Sequence, residues 1–126
     1  MTTAAQAKGH NKIETLAYRY MRWSGVLLIP LVFGHFIIVH LINSVAVIDH
    51  EWVLTTRWNL VWWRFYDAFL LWFTGLHAFN GLRYVINDYV HQKALNRILN
   101  FGAALILIAI FALGSIALVL TPNLGG

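Results

Sequence analysis

His77-Ala78-Phe79-Asn80-Gly81-Leu82-Arg83-Tyr84-Val85-Ile86-Asn87-Asp88-Tyr89 starts inside a strongly apolar segment and ends where charged residues return. Eleven residues separate His77 from Asp88, about three helical turns and roughly 16 Å of rise. On a helix the imidazole and the carboxylate therefore share a face, the first at depth and the second near the water boundary. Burying a histidine in a membrane is costly, so such a residue points by default to function.

Composition says what surrounds that stretch. The chain has 126 residues, 60% hydrophobic and 11% charged, against about 45–50% and about 25% in soluble domains. One soluble core of this length has no use for so much apolar surface, whereas a small membrane bundle does. With no cysteine, disulfides, iron–sulfur ligation and cysteine zinc sites are excluded within the chain. Any metal must come through histidine or acidic residues, or inside a cofactor. The net charge of +4 is not a nucleic-acid signature, because the cations lie at segment ends and the runs between them are too apolar for a soluble reader.

Working outward, the sequence predicts an all-α integral membrane protein with three transmembrane helices, spanning about 23–45, 65–84 and 101–120. Each run is long enough to cross a hydrocarbon layer of about 30 Å. Residues 1–16 are small and polar and lack the apolar core of a signal peptide, so they are expected to form a retained, flexible cytoplasmic N-terminus. Residues 17–126 then form the three-helix anchor. Tyr18, Arg19, Tyr20, Arg22 and Trp23 mix aromatics with cations as a membrane interface does, and Trp58, Trp62 and Trp63 form a second such belt. Pro30 falls inside the first span, where a kink is tolerated. Arg64 and Asp67, three apart at the start of the second, are expected to pair. The third span ends at Thr121-Pro122, past which a helix does not easily continue.

Lysine and arginine set the orientation. Lys8, Lys12, Arg19 and Arg22 precede the first span and Arg83, Lys93 and Arg97 border the second loop, against Arg57 and Arg64 in the first loop. The positive-inside rule places the N-terminus in the cytoplasm and the C-terminus outside. The Arg22 and Asp88-Tyr89 ends are then expected in the same compartment.

Each polar residue carries two readings. His77 shares its face with Asn80, Gly81 and Tyr84, and a glycine one turn away leaves a flat slot in which a planar macrocycle can lie. Haem b held by an axial histidine is one reason for imidazole at that depth; a polar packing contact to a neighbouring helix is the other. Spacing leaves both open. His35, preceded by Gly34 and eleven residues after Ser24, repeats the geometry on the first span and reads as a second ligand, a shared one, or packing. His40 lies five residues further on and about 140° round, so the two do not easily serve one haem. Asp88 and Tyr89 suit a quinone, the phenol donating to a carbonyl and the carboxylate relaying protons, or are ordinary interfacial residues. Arg22, at the expected same boundary, suits a haem propionate, a quinone, or headgroups reached by snorkelling.

The pattern His77-Ala-Phe followed, after eight intervening residues, by Asp88-Tyr89 resembles the second helix of the short, D-type membrane anchor of succinate dehydrogenase and fumarate reductase, respiratory complex II. Met21-Arg22-Trp23-Ser24-Gly25, with Gly34-His35 beyond it, is similar to that family's first anchor helix. Met21 stands where the larger, C-type anchor carries a histidine, which favours the D role, and the resemblance covers about residues 15–120. It implies one part of a succinate:quinone oxidoreductase in a bacterial-type cytoplasmic membrane, with a C-type anchor, an iron–sulfur subunit and a flavoprotein as partners. Succinate oxidation belongs to the flavoprotein. This chain is implied to ligate haem b through His77, with His35 a less secure second ligand, so one haem or two shared with the partner anchor. Tyr89, Asp88, Arg22 and Ser24 are implied to border the quinone. The competing classes are a non-redox membrane adaptor docking soluble subunits and a small proton-relay or transport component. Against a transporter, the chain lacks paired broken helices and midplane acids.

Overall fold

The computed structural model describes residues 12–122, which form three long helices joined by one irregular crossover and one tight turn, with no strand among them. Helix α1 runs Lys12–Phe36 and continues as a π-helical segment, Ile37–Ile42. Helix α2 runs Val61–Tyr89 and α3 runs Lys93–Leu120.

Helix α1 starts within the segment expected to be flexible. Residues 12–16 are helical because Glu14 is tied across to α2, where Arg83 donates to both its carboxylate oxygens at 2.7 and 3.0 Å. The expectation for residues 1–11 lies outside the described residues. The helix passes through Pro30 and widens into its π turn only at Ile37, where the Asn43 side-chain amide donates to the Ile38 carbonyl at 2.7 Å and closes the end.

The crossover is short helical pieces begun by capping side chains. Ser44 Oγ accepts from the Ala46 N–H at 3.3 Å, and Asp49 Oδ1 accepts from the Trp52 N–H at 2.8 Å, each supplying an acceptor to an otherwise unsatisfied N–H. A π segment, Val53–Arg57, then buries Leu54 and Arg57. Helix α3 ends as expected: Thr121 is extended, the conformation favoured before proline.

Helix α2 is the central element and packs antiparallel on both others. Against α1, Glu14 lies across from Arg83, Ala17 from Asn80, Ser24 from His77 and Leu31 from Tyr66. Against α3, Asn87 meets Asn96 and Asn100 near one end, Trp72 donates to Ser115 Oγ at 3.0 Å, and Arg64 donates to the Leu118 and Thr121 carbonyls near the other. Glycine lets the second seam close. A methyl group added at Gly75 would run into the Phe111 ring, and one at Gly114 into Leu71.

Few apolar side chains are buried in this trio: Leu28, Leu54, Ile86, Phe111 and Leu118. Large ones such as Trp62, Val119 and Leu120 are exposed by 70% or more, which water does not tolerate over so wide a surface but lipid and partner helices do. Two helical stretches, Lys12–Ile42 and Lys93–Leu120, are long and apolar enough to cross a membrane. Helix α2 has the length, 29 residues. It carries Arg64, Asp67, Arg83 and Asp88 among aromatics of low hydropathy and falls short of the same apolar measure.

Candidate functional site

His77 lies on the face of α2 that meets α1, and its partner there is Ser24. Nδ1 of His77 and Oγ of Ser24 are 2.7 Å apart. Ser24 is completely buried, at 0% exposure, and its hydroxyl also reaches the Met21 carbonyl at 3.3 Å. From α1, Gly25 faces the imidazole. A Cβ at Gly25 would stand 3.7 Å from the ring carbon Cε1, an ordinary contact, and one at Gly81 would stand 3.4 Å from the Met21 Cε. One turn along, buried Asn80 donates to the Ala17 carbonyl at 3.0 Å. Asn80 Oδ1 receives the Arg83 guanidinium at 3.2 Å. The imidazole therefore sits in a seam fixed on both helices, engaged through Nδ1.

Asp88 and Tyr89 stand at the other end of the motif. Helix α2 ends at Tyr89, Val90 turns to extended backbone, and both side chains are exposed, the phenol by 80%. The chain from His77 to Asp88, eleven steps, is continuous α-helix, so the expected separation of about 16 Å along the axis holds.

Arg22 and Ser24 are placed differently from expectation. The antiparallel register puts Glu14 beside Arg83 and Ser24 beside His77. Arg22 is therefore level with the imidazole rather than with Asp88-Tyr89, which lie beyond Arg83 in the opposite direction. Two residues on a helix differ by about 200°, so Arg22 is on the far side of α1 from Ser24. It is exposed, with its guanidinium carbon 6.0 Å from the Tyr18 ring centroid, one turn toward the helix start.

His35 and His77 are not brought together. His35 is three turns further along α1 than Ser24, and its neighbour is Asp67. Nδ1 lies 3.7 Å from Asp67 Oδ1 and is buried without a hydrogen bond. Beside it, a Cβ at Gly34 would come within 2.9 Å of the Tyr66 hydroxyl. His40, in the π segment, is exposed and packs on Phe36 with ring centroids 4.8 Å apart.

Asp67 itself corrects the sequence reading. Its partner is Arg57, whose guanidinium donates through Nε to Oδ2 at 3.1 Å and through Nη2 to Oδ1, while Trp58 Nε1 donates to Oδ2 at 3.0 Å. Arg57 is 5% exposed and lies 4.3 Å from the Trp63 ring centroid, close enough for cation–π attraction. Arg64, the expected partner, turns to backbone carbonyls, at 2.8 Å from Trp58 and Leu118 and 2.7 Å from Thr121. No local spacing announces the Arg57–Asp67 pair, because the two are joined across an irregular crossover.

Among the described residues no three histidine or acidic side chains converge as a metal site. What the arrangement offers is single imidazoles at two levels and a phenol–carboxylate pair at one end.

An all-α chain with apolar outer surfaces and a histidine fixed between its helices defines a small helical membrane protein. More particularly, the family model of the succinate dehydrogenase/fumarate reductase transmembrane subunit matches residues 2–117, and the chain belongs to that family. Membership places it in a membrane complex with other succinate dehydrogenase or fumarate reductase subunits. A search of curated proteins found no match.

Proposed function

We propose that this chain is the D-type anchor of a succinate:quinone oxidoreductase, that His77 is an axial ligand of haem b, and that Asp88 and Tyr89 form one wall of the quinone pocket. All three helices cross the membrane in this reading, with the N-terminus cytoplasmic and the C-terminus outside. Helix α2 is shielded by α1, α3 and a C-type partner, which accounts for its more polar composition. An iron–sulfur subunit and a flavoprotein dock at the Tyr89 end.

The observation that carries the haem reading is the bond between His77 Nδ1 and buried Ser24 at 2.7 Å. Histidine ligands of metals characteristically give their second ring nitrogen to a hydrogen-bond partner, which holds the ring and its tautomer. The surroundings fit the group, since Gly25 keeps a side chain off the ring. With no cluster of three histidine or acidic side chains among the described residues, iron here would be held inside a porphyrin, with His77 and a residue of the partner anchor as the groups that would hold it. Bound there, the haem supplies a one-electron redox centre. His35 offers a second such nitrogen, with Asp67 facing its Nδ1.

At the quinone, Tyr89 donates a hydrogen bond to a carbonyl and Asp88 orients it or delivers a proton. Exposure of both at the helix end suits a ligand enclosed only once partner subunits are in place. Arg22, on the outer face of α1, serves a partner or a cofactor carboxylate better than a carbonyl beside Tyr89.

The test is the reduced-minus-oxidised spectrum of the purified complex. A b-type band that is lost or displaced by His77→Gln supports the reading. An unaltered spectrum in the variant returns His77 to the role of interhelical packing residue in a non-redox adaptor.

A further inference from the structure

We propose that Ser24 is a positioning residue for the His77–iron bond: its hydroxyl fixes the imidazole tautomer and strengthens the ring as a donor. This rests on the reading of His77 as a haem ligand and assigns a specific second residue to it. It also moves Ser24 away from the quinone, because a side chain at 0% exposure, level with the imidazole, does not reach a carbonyl beside Tyr89.

A serine hydroxyl carries one hydrogen and two acceptor lone pairs. Ser24 Oγ has three polar neighbours, the Met21 carbonyl at 3.3 Å, His77 Nδ1 at 2.7 Å and the Tyr20 phenol, and the phenol gives its own hydrogen to the Phe73 carbonyl at 2.8 Å. A carbonyl only accepts, so a hydroxyl hydrogen directed at Met21 leaves Oγ to accept from Nδ1–H, the arrangement compatible with iron on Nε2. The ring proton is then on Nδ1 and the free lone pair on Nε2, the tautomer that iron requires. The reverse arrangement, Ser24 donating to Nδ1, would leave the proton on Nε2 and bar ligation there.

Burial makes the contact persistent, since water does not compete for a fully enclosed oxygen. Gly25 puts no side chain against the ring, and even an added Cβ there would stand 3.7 Å from Cε1. An acceptor on the Nδ1 proton also draws positive charge off the ring and makes Nε2 a better donor. Stronger donation favours ferric over ferrous iron and so lowers the haem midpoint potential.

The experiment is a redox titration of the assembled wild-type complex and of its Ser24→Ala and Ser24→Thr forms, with haem content and the low-spin ferric electron paramagnetic resonance signal recorded for each. Ser24→Ala should move the midpoint potential positive, the ratio of oxidised to reduced haem at a fixed potential falling about three- to tenfold, the size of one neutral hydrogen bond. Its principal g value should also shift as the ring turns. Ser24→Thr, which keeps the hydroxyl, should stay close to wild type. Loss of haem in the alanine form alone also supports the proposal. An unchanged potential and signal in Ser24→Ala overturns it while leaving His77 as ligand, and equal damage in both variants overturns it in favour of plain seam packing. A haem indifferent to His77→Gln would instead remove the ligand reading itself, whatever Ser24 does.

Discussion

Arg57 reaches from the crossover to Asp67, ten residues on, and closes a two-point ion pair with it inside the protein. Arg57 is 5% exposed and Asp67 16%, so neither charge keeps its hydration. The pair fastens the crossover onto the end of α2, and Trp58 and Trp63 complete the enclosure. Breaking such a pair from one side leaves a buried charge alone, typically a cost of about 3–5 kcal/mol. Arg57→Met should therefore lower the thermal stability of the purified complex sharply. Arg64→Met, which removes donors to carbonyls, should leave Asp67 paired and cost less. Equal losses would show that the Arg57 pair has no special weight.

The seam between α2 and α3 gives a steric prediction. Gly75→Ala places a methyl against the Phe111 ring, and Gly114→Ala places one against Leu71. Overpacking of this kind costs about 1–3 kcal/mol, so assembly yield and melting temperature should fall. Gly102 has open space around it, and Gly102→Ala should be neutral or slightly stabilising through helix propensity, by up to about 1 kcal/mol. Reversal of that order would contradict the packing described.

Topology is checked independently of any cofactor. A C-terminal reporter active only outside the cytoplasm should be active on the full chain, and silent on one cut in the turn between α2 and α3. Activity in the cut form would mean that α2 does not cross.

Tyr89→Phe removes a donor and keeps the ring. Quinone reduction by the complex should fall by about tenfold, the upper range for one neutral hydrogen bond. Succinate oxidation with a soluble acceptor should be unaffected. If both rates stay normal, the phenol is interfacial decoration.

How far the chain could be read from its residues differs from element to element. The three long helices are legible because each contains a long apolar run, but their ends are not. Hydropathy reports the hydrocarbon layer, whereas α1 and α3 continue through the polar boundary, where Glu14–Arg83 and the Asn87, Asn96 and Asn100 amides hold them. The motif His77…Asp88-Tyr89 is legible because eleven residues within one helix fix a geometry by themselves. Ser24 as the partner of His77 is not, since 53 residues separate them and only the antiparallel register brings them together. The same register shows Arg22 to be level with the imidazole, where reading α1 alone put it beside the phenol.

The most direct test of the account is haem counted against the complex by pyridine haemochrome assay, in wild type and in His77→Gln, whose amide can still bond to Ser24 and so preserves the helix seam. The account predicts at least one haem per wild-type complex and one fewer in the variant. The same haem content in both, with intact assembly, would contradict it.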